Sequence, residues 1–163
     1  MTPEQLTTLR ADIAANPDLL ALYNAGDRAG LADAYNDAAS PAFTVYKSSL
    51  SRHDILTDTS ADGTTFTWTG GAYITRSQGE RDAFREMFNS TGTVNPAVPS
   101  IQNAFNDIFS GAGGATNRTH IAAMSRRMAT RLEKVFAVGL GTNQNPATMG
   151  FEGEVSPALF VDV

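Results

Sequence analysis

NRTHIAAMSRRMATRLEKVFAV, residues 117–138, is the stretch on which the fold assignment turns. Ile121, Met124, Met128, Leu132, Val135 and Phe136 recur at helical spacing. They predict one long helix from about Asn117 to Val138 with that stripe buried. Arg126, Arg127, Arg131 and Lys134 lie mostly off the stripe. Together with Arg118 they oppose Glu133 alone, in a chain whose net charge is −5. A basic helix on an acidic body is an asymmetry that calls for a charged partner or an internal explanation.

Working outward, helix signals dominate. Thr2-Pro3-Glu4-Gln5 combines a cap, a proline at the first helical position and a capping box. Leu6, Leu9 and Ile13 then share a face. Asn16-Pro17 ends this helix and starts another, in which Leu19, Leu20 and Tyr23 are expected to bury. Asp27 caps a third helix, with Leu31 and Tyr35 inward. Thr75–Gln78 opens a further helix with Ala83, Phe84, Met87 and Phe88 on one stripe. Residues 100–109 supply another, with Ile101, Phe105, Ile108 and Phe109 inward. GAGGAT (111–116) and GLGTN (139–143) read as flexible links.

Strand signals are few. TTFTWT and AYIT flank Gly70-Gly71 and predict a hairpin near 64–75. ATMGFEGEV alternates loosely and predicts a strand near 147–155. The fold class expected is mainly α: a small helical bundle over 1–138 with a minor β element, then an extended C-terminal segment over 139–163. Met149, Phe151, Leu159, Phe160 and Val161 give that segment apolar side chains that need a partner surface, either this chain's core or a neighbouring subunit.

Bulk composition narrows the function classes. The chain has 163 residues, 42% hydrophobic and 18% charged, with no cysteine. These values describe a globular domain without disulfides or thiolate metal sites. No apolar run is long enough to span a bilayer, and MTPEQLTTLR lacks the apolar core of a secretory signal.

Chemical motifs are equally sparse. Two histidines without metal-ligand spacing give no reason to expect a metal, and no glycine-rich segment has the P-loop or dinucleotide pattern, so no cofactor is expected. His53-Asp54 and the Glu152/Glu154 pair are the only groupings suited to acid–base work. No serine sits in a nucleophile elbow. The basic residues Arg118, Arg126, Arg127, Arg131 and Lys134 admit three readings: a solvated helix face, a surface for DNA phosphates, or a contact with an acidic neighbouring subunit.

MTPEQLTTLRADIAANP, RTHIAAMSRRMATRLEKVFA and GTNQNPATMGFEGEVSP together resemble, in order and texture over most of the chain, a family of small virion proteins of tailed bacteriophages. Size and helical content are most similar to the head-to-tail adaptor type. The resemblance implies a non-enzymatic neck protein, assembled in the host cytoplasm. It would form a homo-oligomeric ring between the portal protein and a tail-side neck protein. It implies genome DNA passing through the channel without sequence-specific binding, and docking through the C-terminal segment. In a ring, an acidic body and a basic helix would supply the two faces of a heterologous contact. Three rivals stand beside this reading. A stopper or tail-terminator ring would be richer in sheet. A small nucleic-acid-binding regulator would use 117–134 and bind with strong salt dependence. An enzyme would gather His53, Asp54 or the Glu152/Glu154 pair in a cleft.

Overall fold

Helices begin where the sequence supplies caps. In a computed structural model describing residues 1–69, 73–161 and 163, Thr2 caps α1 (Pro3–Ala15) with a reciprocal Gln5 contact, and Asn16 caps α2 (Pro17–Asn24). Asp27 caps α3 (Arg28–Asn36). Strand β1 (Thr44–Tyr46) precedes β2 (Leu50–Ser51) and the short helix α4 (Arg52–Thr57). Then come α5 (Gln78–Glu86), β3 (Thr93–Val94), α6 (Pro99–Ile108) and α7 (Gly111–Met124). Strand β4 (Arg126–Met128), α8 (Arg131–Phe136) and a 3₁₀ turn over Pro157–Val161 follow. Among the described residues there are two sheets of two strands each, β1 with β4 and β2 with β3, so the fold is mainly α.

The chain divides into two units, residues 1–45 with 128–163, and residues 46–127. The expected boundary at 138/139 falls inside the first of these. In that terminal unit, Leu9, Ile13, Leu19, Leu31, Tyr35 and Leu132 from α1, α2, α3 and α8 form a core with Val155 and Phe160. A smaller cluster of Val45, Ala129 and Ala147 lies under Phe43 and Met149. The central unit packs Leu50, Ile55 and Ile121 around Phe66, Tyr73, Phe84, Phe88, Phe105 and Phe109. Phe109 meets Phe84 and Phe66 edge-on, at centroid separations of 5.5 and 6.0 Å. This is the arrangement that ring quadrupoles favour.

The long helix expected over 117–138 is broken. Ser125 Oγ–H donates to Ile121 O at 2.7 Å at the end of α7, and Arg126–Met128 leaves helical geometry to pair with β1. A new helix then starts at Thr130. Its hydroxyl accepts from Glu133 N–H at 3.2 Å, and Glu133 accepts from Thr130 N–H at 3.0 Å. The apolar period ran through the break, but Met128, expected on the buried stripe, is 50% exposed. GAGGAT is likewise not a flexible link. It opens α7, and a Cβ at Gly114 would lie 1.8 Å from Phe109 O, so glycine is there for close approach.

Among the described residues, neither predicted β element forms a strand. Thr64–Thr69 and Tyr73–Thr75 carry no strand; the Gly70-Gly71 turn lies outside the described residues. The backbone of Thr67 pairs instead with the buried Asn117 side chain, which accepts from Thr67 N–H at 2.8 Å and donates to Thr67 O at 3.0 Å. Over 147–155, only Ala147 and Thr148 make isolated bridges, to Val45 and Val138. Val155 is gripped the same way by Asn36, with both bonds at 2.9 Å. In each case the extended backbone has an asparagine for a partner rather than a strand.

Replacing Asn117 by leucine removes both bonds and sets an alkyl group against two backbone polar groups. We expect a loss of about 2 kcal/mol of stability, read as a lower urea midpoint. An unchanged midpoint would show that water replaces the clasp at no cost.

Candidate functional site

The basic residues of 117–134 are divided between the two units. Arg118, Arg126 and Arg127 belong to the central unit, Arg131 and Lys134 to the terminal unit. Arg118 donates to the carbonyls of Phe109 and Gly111, stitching the α6–α7 corner. Arg126 pairs with Asp62. Arg127 lies half-buried in β4. Lys134 donates to Pro41 O at 3.2 Å, with its ammonium 5.7 Å from the Phe43 ring centroid.

Arg131 enters a half-buried network. Its Nε and Nη2 lie 3.3 and 3.2 Å from Asp12 Oδ2, and its guanidinium stands 5.6 Å from the Tyr35 ring centroid. The Tyr35 hydroxyl donates to the same carboxylate oxygen at 2.8 Å. Burial first, then the adjoining Asp12 carboxylate, pushes the Tyr35 phenol far above its ordinary range. The network ties α1, α3 and α8 together, so Arg131 acts inside the fold.

The C-terminal segment, expected to extend toward a partner, wraps onto its own unit. Gln5 donates to Gly150 O at 3.1 Å, and Arg10 Nε donates to Val163 O at 3.1 Å. Phe151 meets Phe136 at 6.0 Å between centroids. Phe160 stacks on Tyr35 at 5.7 Å with planes 18° apart. Met149 and Leu159 pack against the two clusters of this unit. Of the five apolar residues expected to dock a partner, Val161 is the one left exposed, at 59%. The helices of this unit already present a complementary apolar surface, which is why the segment folds back.

The strap leaves two depressions beside Tyr23. One, of about 220 Å³, is lined by Arg10, Ile13, Ala14, Leu20, Tyr23 and Val163. The other, of about 340 Å³, is lined by Tyr23, Asn24, Gly26, Arg28, Leu31, Phe160 and Val161. Leu20 and Tyr23 were expected to bury with Leu19, but they stand exposed at the rim. On the same unit, the loop after α8 carries Val138 and Leu140, exposed by 76% and 73%. From sequence, that loop reads as a flexible link. The signal was two aliphatics bracketed by glycines, with no charged residue over 137–150.

The groups suited to acid–base work are placed as follows. His53 is exposed on α4, and Asp54 serves the Ser51 capping box. Glu152 and Glu154 are exposed on the strap. Buried His120 has Ile55 O at 2.9 Å from Nε2 and Thr64 Oγ1 at 3.1 Å from Nδ1, with Ser60 Oγ beyond Thr64 at 2.6 Å. Since Ile55 O can only accept, Nε2–H donates to it, while Nδ1 shares a hydrogen bond with the Thr64 hydroxyl. Both ring nitrogens are thus used in holding the 60–64 loop against α7. No group of three or more metal-ligating side chains occurs among the described residues. Searches against protein-family models, curated proteins and solved structures return no match.

The Tyr35 network gives a pH prediction. The folded chain holds the phenol neutral above the unfolded value of about 10. Its contribution is therefore complete below that pH and declines as pH rises and only the unfolded chain sheds the proton. Tyr35→Phe should cost about 1.5 kcal/mol at neutral pH and flatten the alkaline decline in denaturation midpoint. Parallel declines in wild type and variant would contradict this.

Proposed function

We propose that this chain is a structural subunit of a tailed-phage neck, of the head-to-tail adaptor type. Copies form a ring that joins the portal to a tail-side neck protein and continues the DNA channel. The observation that carries the reading, beside the sequence resemblance, is the exposed aliphatic relief at Val138 and Leu140 on a stretch free of charge. Aliphatics held out on a loop that has no charged side chain of its own suit burial against another protein.

The charge arrangement supports the same reading over its rivals. Arg118, Arg126, Arg131 and Lys134 have partners inside their own units, in a chain of net charge −5. A regulator that binds nucleic acid through 117–134 would need those cations for phosphates. A channel wall benefits from not gripping the duplex. The predominance of helix favours an adaptor over the sheet-rich stopper or tail-terminator alternatives.

The test is the copy number of this protein in purified particles, measured by quantitative mass spectrometry against the portal. About one copy per portal subunit is expected of a closed neck ring. A large excess would indicate a tube or shell component. Absence from the particle would remove the structural reading.

A further inference from the structure

The loop that follows α8 is built to hold its side chains still. Val138 exchanges backbone bonds with Thr148, at 2.8 Å from its N–H and 2.9 Å to its carbonyl. Gly141 O accepts from Thr44 N–H at 2.8 Å. Gly141 has φ +66°, and a Cβ there would stand 2.1 Å from the Phe43 ring, so the chain is pressed flat against that ring. Between these fixed points Val138 and Leu140 project into solvent. A fixed backbone loses little further entropy when its side chains are buried by a partner.

We propose that Val138 and Leu140 form a knob that seats in the depression beside Ile13, Leu20 and Tyr23 of a second copy of this chain. The inference rests on the ring reading and names the contact between neighbours. Three observations select a second copy as the occupant. The first is electrostatic. Two chains of net charge −5 repel, so they meet most readily where charge is missing, and 137–150 contains no Asp, Glu, Lys or Arg. A basic partner would be met by carboxylates, which this stretch lacks. The second is chemical. Among the described residues its lining is apolar apart from Arg10 and Tyr23, and Arg10 turns Nε toward Val163 O. The third is size. A cavity of roughly 150 Å³ accepts a six-carbon ring, so a depression of about 220 Å³ suits the combined branches of one valine and one leucine.

Knob and depression are different surfaces of one unit, so the contact is heterologous. It propagates from copy to copy and closes where the rotation allows. The two side chains are the anchor of an interface that extends around them, since stable contacts bury on the order of 800 Å² per partner. Tyr23 at the rim is the residue type that such anchors favour.

The chain has no cysteine, so crosslinking is clean. We would compare Leu140→Cys, Leu20→Cys and the double variant, each treated with a short bismaleimide, alongside the light-scattering mass of the wild-type chain. The double variant should give a ladder of covalent oligomers, and neither single variant should crosslink. Leu140→Asp should weaken self-association about tenfold or more while leaving helicity unchanged. Crosslinking of Leu140→Cys alone would mean that the loop meets its own copy, which overturns the depression as its seat. An uncrosslinked double variant in a chain that still assembles would place the ring contact elsewhere and overturn this inference alone. Wild type that stays monomeric to roughly 1 mM, with no crosslinks, would also overturn it, leaving the ring reading to the particle stoichiometry.

Discussion

Two asparagines do in this fold what a neighbouring strand does in a sheet. Asn117 on α7 closes both backbone bonds of Thr67, and Asn36 on α3 closes both of Val155. One clasp lies in each unit. An extended segment laid over helices leaves N–H and C=O groups that must find partners, and burying them unpaired costs more than the net value of the bonds. A carboxamide has a donor and an acceptor side by side, so one residue satisfies both groups of one backbone position. With the clasps in place, the chain around Phe66 can line the aromatic core. The strap can likewise carry Val155 and Phe160 onto the helices of the terminal unit.

The charges follow a similar logic. The basic cluster that stood out in an acidic sequence is divided between the units and spent locally, on the α6–α7 carbonyls, on Asp62, and on Asp12 with Tyr35. The Arg131–Asp12–Tyr35 network has a mixed character. Its ion pair is only half-buried and contributes modestly on Coulombic grounds. Its value comes from the hydrogen-bond geometry, since a phenol and a guanidinium share one carboxylate oxygen while the guanidinium stands over the phenol's ring. Because Phe160 stacks on Tyr35, the network also positions the strap.

Local signals in the sequence translated well into structure. Thr2 with Gln5, Asn16 before Pro17, and Asp27 all cap helices, and the apolar stripes of α5 and α6 face the aromatic core. The Thr130–Glu133 box was equally local but hidden, because a helical apolar period ran across it and made two helices read as one. The hairpin near 64–75 and the strand near 147–155 were read from extended, apolar texture. What that texture leaves open is the hydrogen-bond partner, which here lies on a helix distant in sequence. For the site, residue types were legible but their destinations were not. Phe160 and Arg131, expected at contacts with other subunits, have the intrachain partners Tyr35 and Asp12, which the sequence does not reveal. The exposed pair, Val138 and Leu140, stood in a stretch that looked like linker.

That pair poses the remaining physical question of the fold. Scattered exposed aliphatics are ordinary on any surface. Two on one loop, fixed by backbone bonds on both sides and by a glycine pressed under Phe43, are a different matter, because the fold has committed hydrogen bonds and a positive φ to a conformation that buries neither side chain. The terminal unit otherwise draws its apolar tail inward and ties Arg10, Arg131 and Lys134 to its own carboxylates and carbonyls. A chain that satisfies so much internally has few means of binding another. Its strap is occupied by its own helices. The aliphatic relief of this loop and the depression beside Tyr23 are the apolar features the unit presents outward, which is why the proposed contact is built on apolar burial rather than on ion pairing.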